Sequence, residues 1–213
     1  MAQKVGSTIK VDLALVLALD ISASVDDREF NLQKLGLAAA LTNPKVLDAI
    51  KFGSNKRIAV TVVQWAGYRQ QFVSVPWQLI GDAENAQEFA ADLSAMGRRE
   101  TLGFTHIGGA IRFSAQLLEP MQLAADRRVV DISGDGTNNV SPRPQSARDN
   151  AVRSGITING LAIANEVRDL NAYYRNTVIG GPGAFVIVAQ DYSDYEKAMI
   201  QKLVREINAK AIF

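Results

Sequence analysis

Cysteine is absent from the 213 residues, and histidine occurs once. Disulfides, thiolate metal sites and cysteine nucleophiles are therefore excluded, and a histidine-rich metal cage cannot be built. Charge of one sign is lacking too. A net charge of +1 gives no basic face for nucleic acid or for an anionic membrane surface. No apolar run approaches the roughly 20 residues that cross a bilayer, because the longest, Leu13 to Leu19, is closed off by Asp12 and Asp20. The first residues, Met-Ala-Gln-Lys-Val-Gly-Ser-Thr, lack the apolar core of a secretory signal. That leaves two readings open: a cytoplasmic protein, or a chain whose signal has been removed and whose Met1 is not native.

What is present reads as ordinary globular composition, 47% hydrophobic and 21% charged. No repeat, low-complexity tract or Pro/Gly/Ser-rich linker divides the chain. A tail over residues 1–10 and a single domain over 11–213 are expected. Val11 to Leu19 is a near-continuous apolar run, as in a parallel strand covered on both faces. Helical spacing follows from Asp26 to about Leu41, with Phe30, Leu35, Leu37, Ala38 and Leu41 as the inner face. Asn43-Pro44 stops it, since the residue before proline avoids the α region. A short helix from Lys45 to Ile50 comes next.

Arg57 to Ala66 and Gln71 to Trp77 are strands joined too closely for anything but a hairpin, hence an antiparallel edge. Helices are expected over Ala83 to Met96, with Asp82 as cap, and over Ile107 to Leu118, ended by Pro120. Strands at Arg128 to Ser133, Ile156 to Ile163 and Ala184 to Val188 alternate with helices at Pro144 to Arg153, Asp169 to Asn176 and Tyr192 to Asn208. The pattern predicts an α/β, doubly wound, Rossmann-like sheet of six strands. It is mostly parallel with one antiparallel edge strand, and helices cover both faces.

Chemistry concentrates where strands end. Asp20, Ser22 and Ser24 put one carboxylate and two hydroxyls at alternate positions of a tight loop. Such hard oxygens suit Mg²⁺, Mn²⁺ or Ca²⁺; the same residues would also cap the helix that follows. Asp135 stands between two glycines after another strand, either as a second carboxylate or as a turn residue. The Gly103 to Gly109 loop offers Thr105. In an open doubly wound sheet, ligands sit beyond the carboxyl ends of the strands where their order reverses, so these residues can converge.

Asp20-Ile21-Ser22-Ala23-Ser24, Thr105 in a glycine-rich loop, and Asp135-Gly136 together resemble the metal-ion-dependent adhesion site (MIDAS) of von Willebrand factor type A (VWA) domains. Order and spacing match from Val11 to the C-terminus. Asp131 to Asn139 is most similar to a bacterial branch of that family, whose members usually look secreted or periplasmic. The resemblance implies a metal-dependent protein-binding module for adhesion or assembly, not an enzyme. Asp20, Ser22, Ser24, Thr105 and Asp135 would hold Mg²⁺ (or Mn²⁺ or Ca²⁺), and a partner protein's Asp or Glu would complete the coordination. His106, the sole histidine, and Asn138 are expected on the rim that meets the ligand. No nucleic acid and no membrane insertion are implied.

The alternative is a metal-dependent hydrolase or phosphatase on a Rossmann-like sheet. Against it, Ser22 stands where haloacid-dehalogenase-type phosphatases carry their second aspartate, and neither a Ser-His-Asp set nor a P-loop occurs. Gly180-Gly181-Pro182-Gly183 precedes a strand and reads as a turn, since phosphate loops follow strands. Asp131, inside an apolar strand about 13 Å below its end, is expected to be structural and paired. Arg98-Arg99-Glu100 and Arg127-Arg128 read as solvated clusters, the first bordering the site. Trp65, Tyr68 and Trp77 read as packing.

Overall fold

The computed structural model describes residues 9–119, 123–165 and 167–209. Its central strand, β2 (Leu13–Asp20), is buried at every position, as its unbroken apolar run requires. Leu13, Leu15, Leu17 and Leu19 turn to one face of the sheet, and Ala14, Val16 and Ala18 to the other. The sheet runs β4-β3-β2-β6-β7-β8, with β3 Ile58–Trp65, β4 Gln71–Ile80, β6 Arg128–Gly134, β7 Ile156–Ile163 and β8 Val186–Ala189. Only the β3–β4 pair is antiparallel. Pro76 sits in edge strand β4, beside the register shift at Val60 and Val62, where a missing N–H is tolerated.

On one face pack α1 (Asp27–Thr42), α2 (Pro44–Lys51), α3 (Ala83–Ala95) and α7 (Tyr195–Asn208). On the other pack α4 (Ile107–Leu118), α5 (Pro144–Arg153) and the short α6 (Leu170–Tyr173), which runs into a π-helical turn over Tyr174–Val178. Asp26 and Asp82 cap α1 and α3. No helix among the described residues is long and apolar enough to cross a membrane.

Several expectations are corrected. The first strand is split at Asp12, whose carboxylate accepts hydrogen bonds from the Asn55 backbone and side chain. Residues Ile9–Val11 form β1, paired in parallel with β5 (Leu123–Ala125) as a two-stranded ribbon, so residues 9 and 10 are not tail. Leu35 is half exposed, because Gln33 takes the inward position on α1 and donates to the Asp20 carbonyl at 3.1 Å. Tyr68 is exposed rather than packed. Arg127 and Arg128 are half-buried and donate to the carbonyls of Ile207 and Ser154. Pro120, read as the stop for α4, lies outside the described residues.

Asp131 is paired as expected. Lys202 Nζ lies 2.9 Å from its Oδ1 and 2.6 Å from Glu206 Oε1, and Asn159 donates to the same Glu206 oxygen at 3.0 Å. This buried cluster sits on the α7 side of the sheet, away from the strand ends.

Candidate metal centre

From β2 the chain runs outward to β3 and β4, then crosses back to β6 and on to β7 and β8. The order therefore reverses between β2 and β6, which pair directly through Leu19 and Ser133. Asp20 ends β2 and Asp135 follows Gly134 at the end of β6. The two carboxylates thus share the crevice in which such sheets bind ligands.

Local bonding pulls the oxygens together. The Ser22 N–H donates to Asp20 Oδ1 at 2.8 Å, a tight turn that folds the loop back over its own aspartate. The Ser22 and Ser24 hydroxyls lie 3.3 Å apart, and Ser24 Oγ donates to Asp135 Oδ1 at 2.7 Å. Thr105 packs over the Asp135-Gly136 bend, its Oγ1 3.8 Å from where a Cβ on Gly136 would sit. Its loop is tied down from both sides. Thr105 N–H donates to Asn139 Oδ1 at 2.8 Å, Asn139 N–H donates to the Thr105 carbonyl at 3.0 Å, and Ala23 N–H donates to the Gly103 carbonyl at 3.0 Å.

Asp20, Ser22, Thr105 and Asp135 are buried and Ser24 is half-buried. Burial, and next the charge of Asp135, push the Asp20 carboxyl up to about 8, against bonds from Ser22 and the pull of Arg98. Asp20 Oδ2 and Asp135 Oδ2 are buried without a hydrogen-bond partner among the described residues. Two such carboxylate oxygens, facing one crevice with three hydroxyls, are what a hard divalent cation satisfies. No group of three or more His, Asp or Glu among the described residues offers another metal site.

Around the oxygens stand groups that stay protonated. Tyr174 and Tyr192 are held well above the ordinary phenol range, first by burial and next by the charges of Asp20 and Asp135. Arg98 donates to the carbonyls of Ile21 and Ser22 at 3.3 Å and pairs with Asp27 at 3.1 Å, so it does border the site.

The two rim residues behave differently. Asn138 is half-buried and its side chain is engaged, accepting from Gly108 N–H in the first turn of α4 at 3.4 Å and donating to the Val140 carbonyl of its own loop. His106 is wholly buried, with its ring against Tyr68, and does not reach the rim. Burial and the charge of Arg112 hold its imidazole below the ordinary value. Sequence reasoning gave no role to Asn139, Gln33 or the exposed Leu102 and Phe104 beside the centre. The run Thr137-Asn138-Asn139 after Asp-Gly was the one signal for the first.

Comparison with known proteins bears on the fold. Proximal thread matrix protein 1 (PTMP1) from the mussel byssus is 14% identical, with a TM-score of 0.66 over 94% of this chain and 47% of that one. A second structure of it, described as having a zinc-occupied MIDAS motif, gives 13%, 0.65, 94% and 49%. This chain therefore spans less than half of PTMP1. A von Willebrand factor type A structure from Catenulispora acidiphila is 15% identical, with a TM-score of 0.61 over 92% of this chain and 43% of that one. The pilus adhesin SpaC from Lactobacillus rhamnosus GG is 14% identical, at 0.61 over 92% and 30%. No curated protein matches. Residues 10–211 match the family described as protein of unknown function (DUF1194). The chain belongs to that family, and its fold is that of a von Willebrand factor type A domain.

Proposed function

We propose that this domain is a protein-binding module in which a divalent cation captures an acidic side chain of a partner protein. The observation that carries this reading is the pair of buried, unpartnered carboxylate oxygens of Asp20 and Asp135, set among the hydroxyls of Ser22, Ser24 and Thr105. These five side chains would hold Mg²⁺, with Mn²⁺ or Ca²⁺ as substitutes of the same hard-oxygen preference. Bound there, the cation supplies positive charge to an incoming carboxylate, and the neutral hydroxyls leave that charge under-compensated.

The protein's own residues supply the remainder of a binding surface. Leu102 and Phe104 are 81% and 56% exposed beside the centre, an apolar surface a partner can cover. The Ser24 hydroxyl donates to Asp135, but in this reading both oxygens are taken up in holding the cation, so the reading is capture without turnover. A thread matrix protein and a pilus adhesin among the solved relatives support a periplasmic or secreted location.

Calorimetric titration of the domain with MgCl₂ and MnCl₂ tests the site. Binding is expected in the wild type and lost in Asp20→Ala. Undiminished affinity in that variant overturns the assignment, and metal-dependent turnover of a phosphoester substrate would make the module an enzyme.

A further inference from the structure

One residue past Thr105, the chain enters a second concavity. A cavity of about 200 Å³ opens beside the first turn of α4, walled by Tyr68, Arg69, Gln71, His106, Arg112 and Gln116. His106 is completely buried, and neither ring nitrogen has a hydrogen-bond partner among the described residues. A neutral imidazole carries one donor and one acceptor, and leaving both unmet inside a protein costs free energy. The ring lies so close to the helix that a Cβ on Gly109 would come within 2.7 Å of Nδ1 and 3.1 Å of Gln71 Nε2. His106, Gly109 and Gln71 are thus fitted around one point of the wall.

The charge of the wall is one-sided. Its charged side chains are Arg69 and Arg112, and no carboxylate lines it. Both arginines are exposed, and neither makes an ion pair or a side-chain hydrogen bond among the described residues, so both are free to turn to a ligand. Arg69 stands with its guanidinium 5.3 Å from the Tyr68 ring centroid. Its φ of 56° is in the left-handed region, uncommon for a residue with a side chain and costly to hold. Tyr68 in turn stacks on His106, ring centroids 6.1 Å apart at 25°. The Gln71 amide is already committed to the Gly67 carbonyl at 2.8 Å, which leaves a phenol, the unpartnered imidazole, the Gln116 amide and two guanidinium groups as donors around one small cavity.

We propose that this cavity is a binding site for a small oxyanion, a carboxylate or a phosphate, held by Arg69 and Arg112 over the Tyr68–His106 stack. It is separate from the metal centre and does not depend on the carboxylate the metal would capture. Its occupant neutralises the two arginines and gives the His106 edge a polar neighbour. About 200 Å³ is room for a free ion or a compact diacid.

The sole histidine makes the test direct, because its ring resonances need no assignment. The chain in EDTA is titrated at constant pH with sodium phosphate and, separately, with sodium malonate, against sodium chloride at matched ionic strength. The His106 ring signals are expected to shift saturably with one or both anions and not with chloride. Saturation by phosphate alone assigns a tetrahedral ligand, and saturation by malonate alone assigns a carboxylate. In Arg69→Gln/Arg112→Gln, which alters two exposed side chains and keeps the backbone at residue 69 non-glycine, the midpoint is expected to rise at least tenfold. A drift that never saturates, or a saturable shift equal in the double variant, overturns the proposal.

Discussion

Ser24 Oγ donates to Asp135 Oδ1 at 2.7 Å, joining two loops that lie 111 residues apart in the chain. That bond, with Ser22 N–H on Asp20 Oδ1, sets the spacing of the two carboxylates before any cation arrives. Ser24→Ala removes one hydroxyl oxygen and the tie between the loops together. A half-buried hydroxyl bonded to a carboxylate contributes about 1.5–3 kcal/mol at most, so the fold should survive. Mg²⁺ affinity measured by calorimetry should fall by an order of magnitude or more, with the melting temperature in EDTA little changed. Equal affinity in the two proteins would remove Ser24 from the site.

Asn139 should matter as much as a ligand although it offers the cation nothing. Its side-chain oxygen takes the Thr105 N–H, and its own N–H returns a bond to the Thr105 carbonyl. Asn139→Ala leaves the Thr105 N–H unpaired at a cost of about 1–3 kcal/mol, if the group stays buried. Metal affinity is expected to fall, and the effects of Asn139→Ala and Thr105→Ala should be less than additive, since both act through one oxygen. Strict additivity in a double-mutant cycle would separate the two residues.

This pairing also marks where the sequence stops being readable. Asp20, Ser22, Ser24 and Asp135 were legible because they close or directly follow strands whose apolar pattern is local. The burial of β2 and β3 follows from that pattern alone. Asn139 engages a residue 34 positions away, and no periodicity encodes such a partner. Leu35 faces outward for a related reason: the inward place on α1 belongs to Gln33, bound to the Asp20 carbonyl. His106 turns inward rather than to the rim, because backbone direction at a helix start cannot be read from neighbouring residue types. The β1–β5 ribbon, three residues a side, is too short to carry a period.

Gly134 is expected to be irreplaceable for a packing reason. A Cβ there would sit 2.8 Å from Asp20 Oδ2 and 2.9 Å from the Tyr174 hydroxyl. Neither neighbour is a free chain end: Asp20 closes β2 and Tyr174 is buried on the sheet. Gly134→Ala should lower stability by about 1–3 kcal/mol, the usual cost of overpacking, and should displace Asp20 enough to weaken Mg²⁺ binding. Adding Tyr174→Phe removes one of the two clashing atoms, so it should restore part of the stability in urea denaturation. No recovery would mean that the Asp20 contact alone sets the cost.

The Asp131–Lys202–Glu206 cluster should give the fold a pH dependence of its own. Two carboxylates share one ammonium, all three side chains fully or almost fully buried. Burial raises the Asp131 carboxyl to about 7, with Glu206 adding to the rise and Lys202 opposing it. The folded state then holds a proton that the unfolded chain, at the ordinary carboxyl value of 3.8, has already released. Stability from this group is therefore complete below pH 4 and is lost as pH rises through 7. Asp20 slopes the same way up to about 8, so the comparison must be made between proteins that share it. Asp131→Asn, measured against wild type in EDTA by urea denaturation at pH 5.5, 7 and 8.5, should show the flatter profile. Lys202→Met leaves both carboxylates without a counter-charge and should cost about 3–5 kcal/mol, with the steeper fall toward high pH. Parallel profiles for wild type and Asp131→Asn would remove Asp131 as the source of the slope.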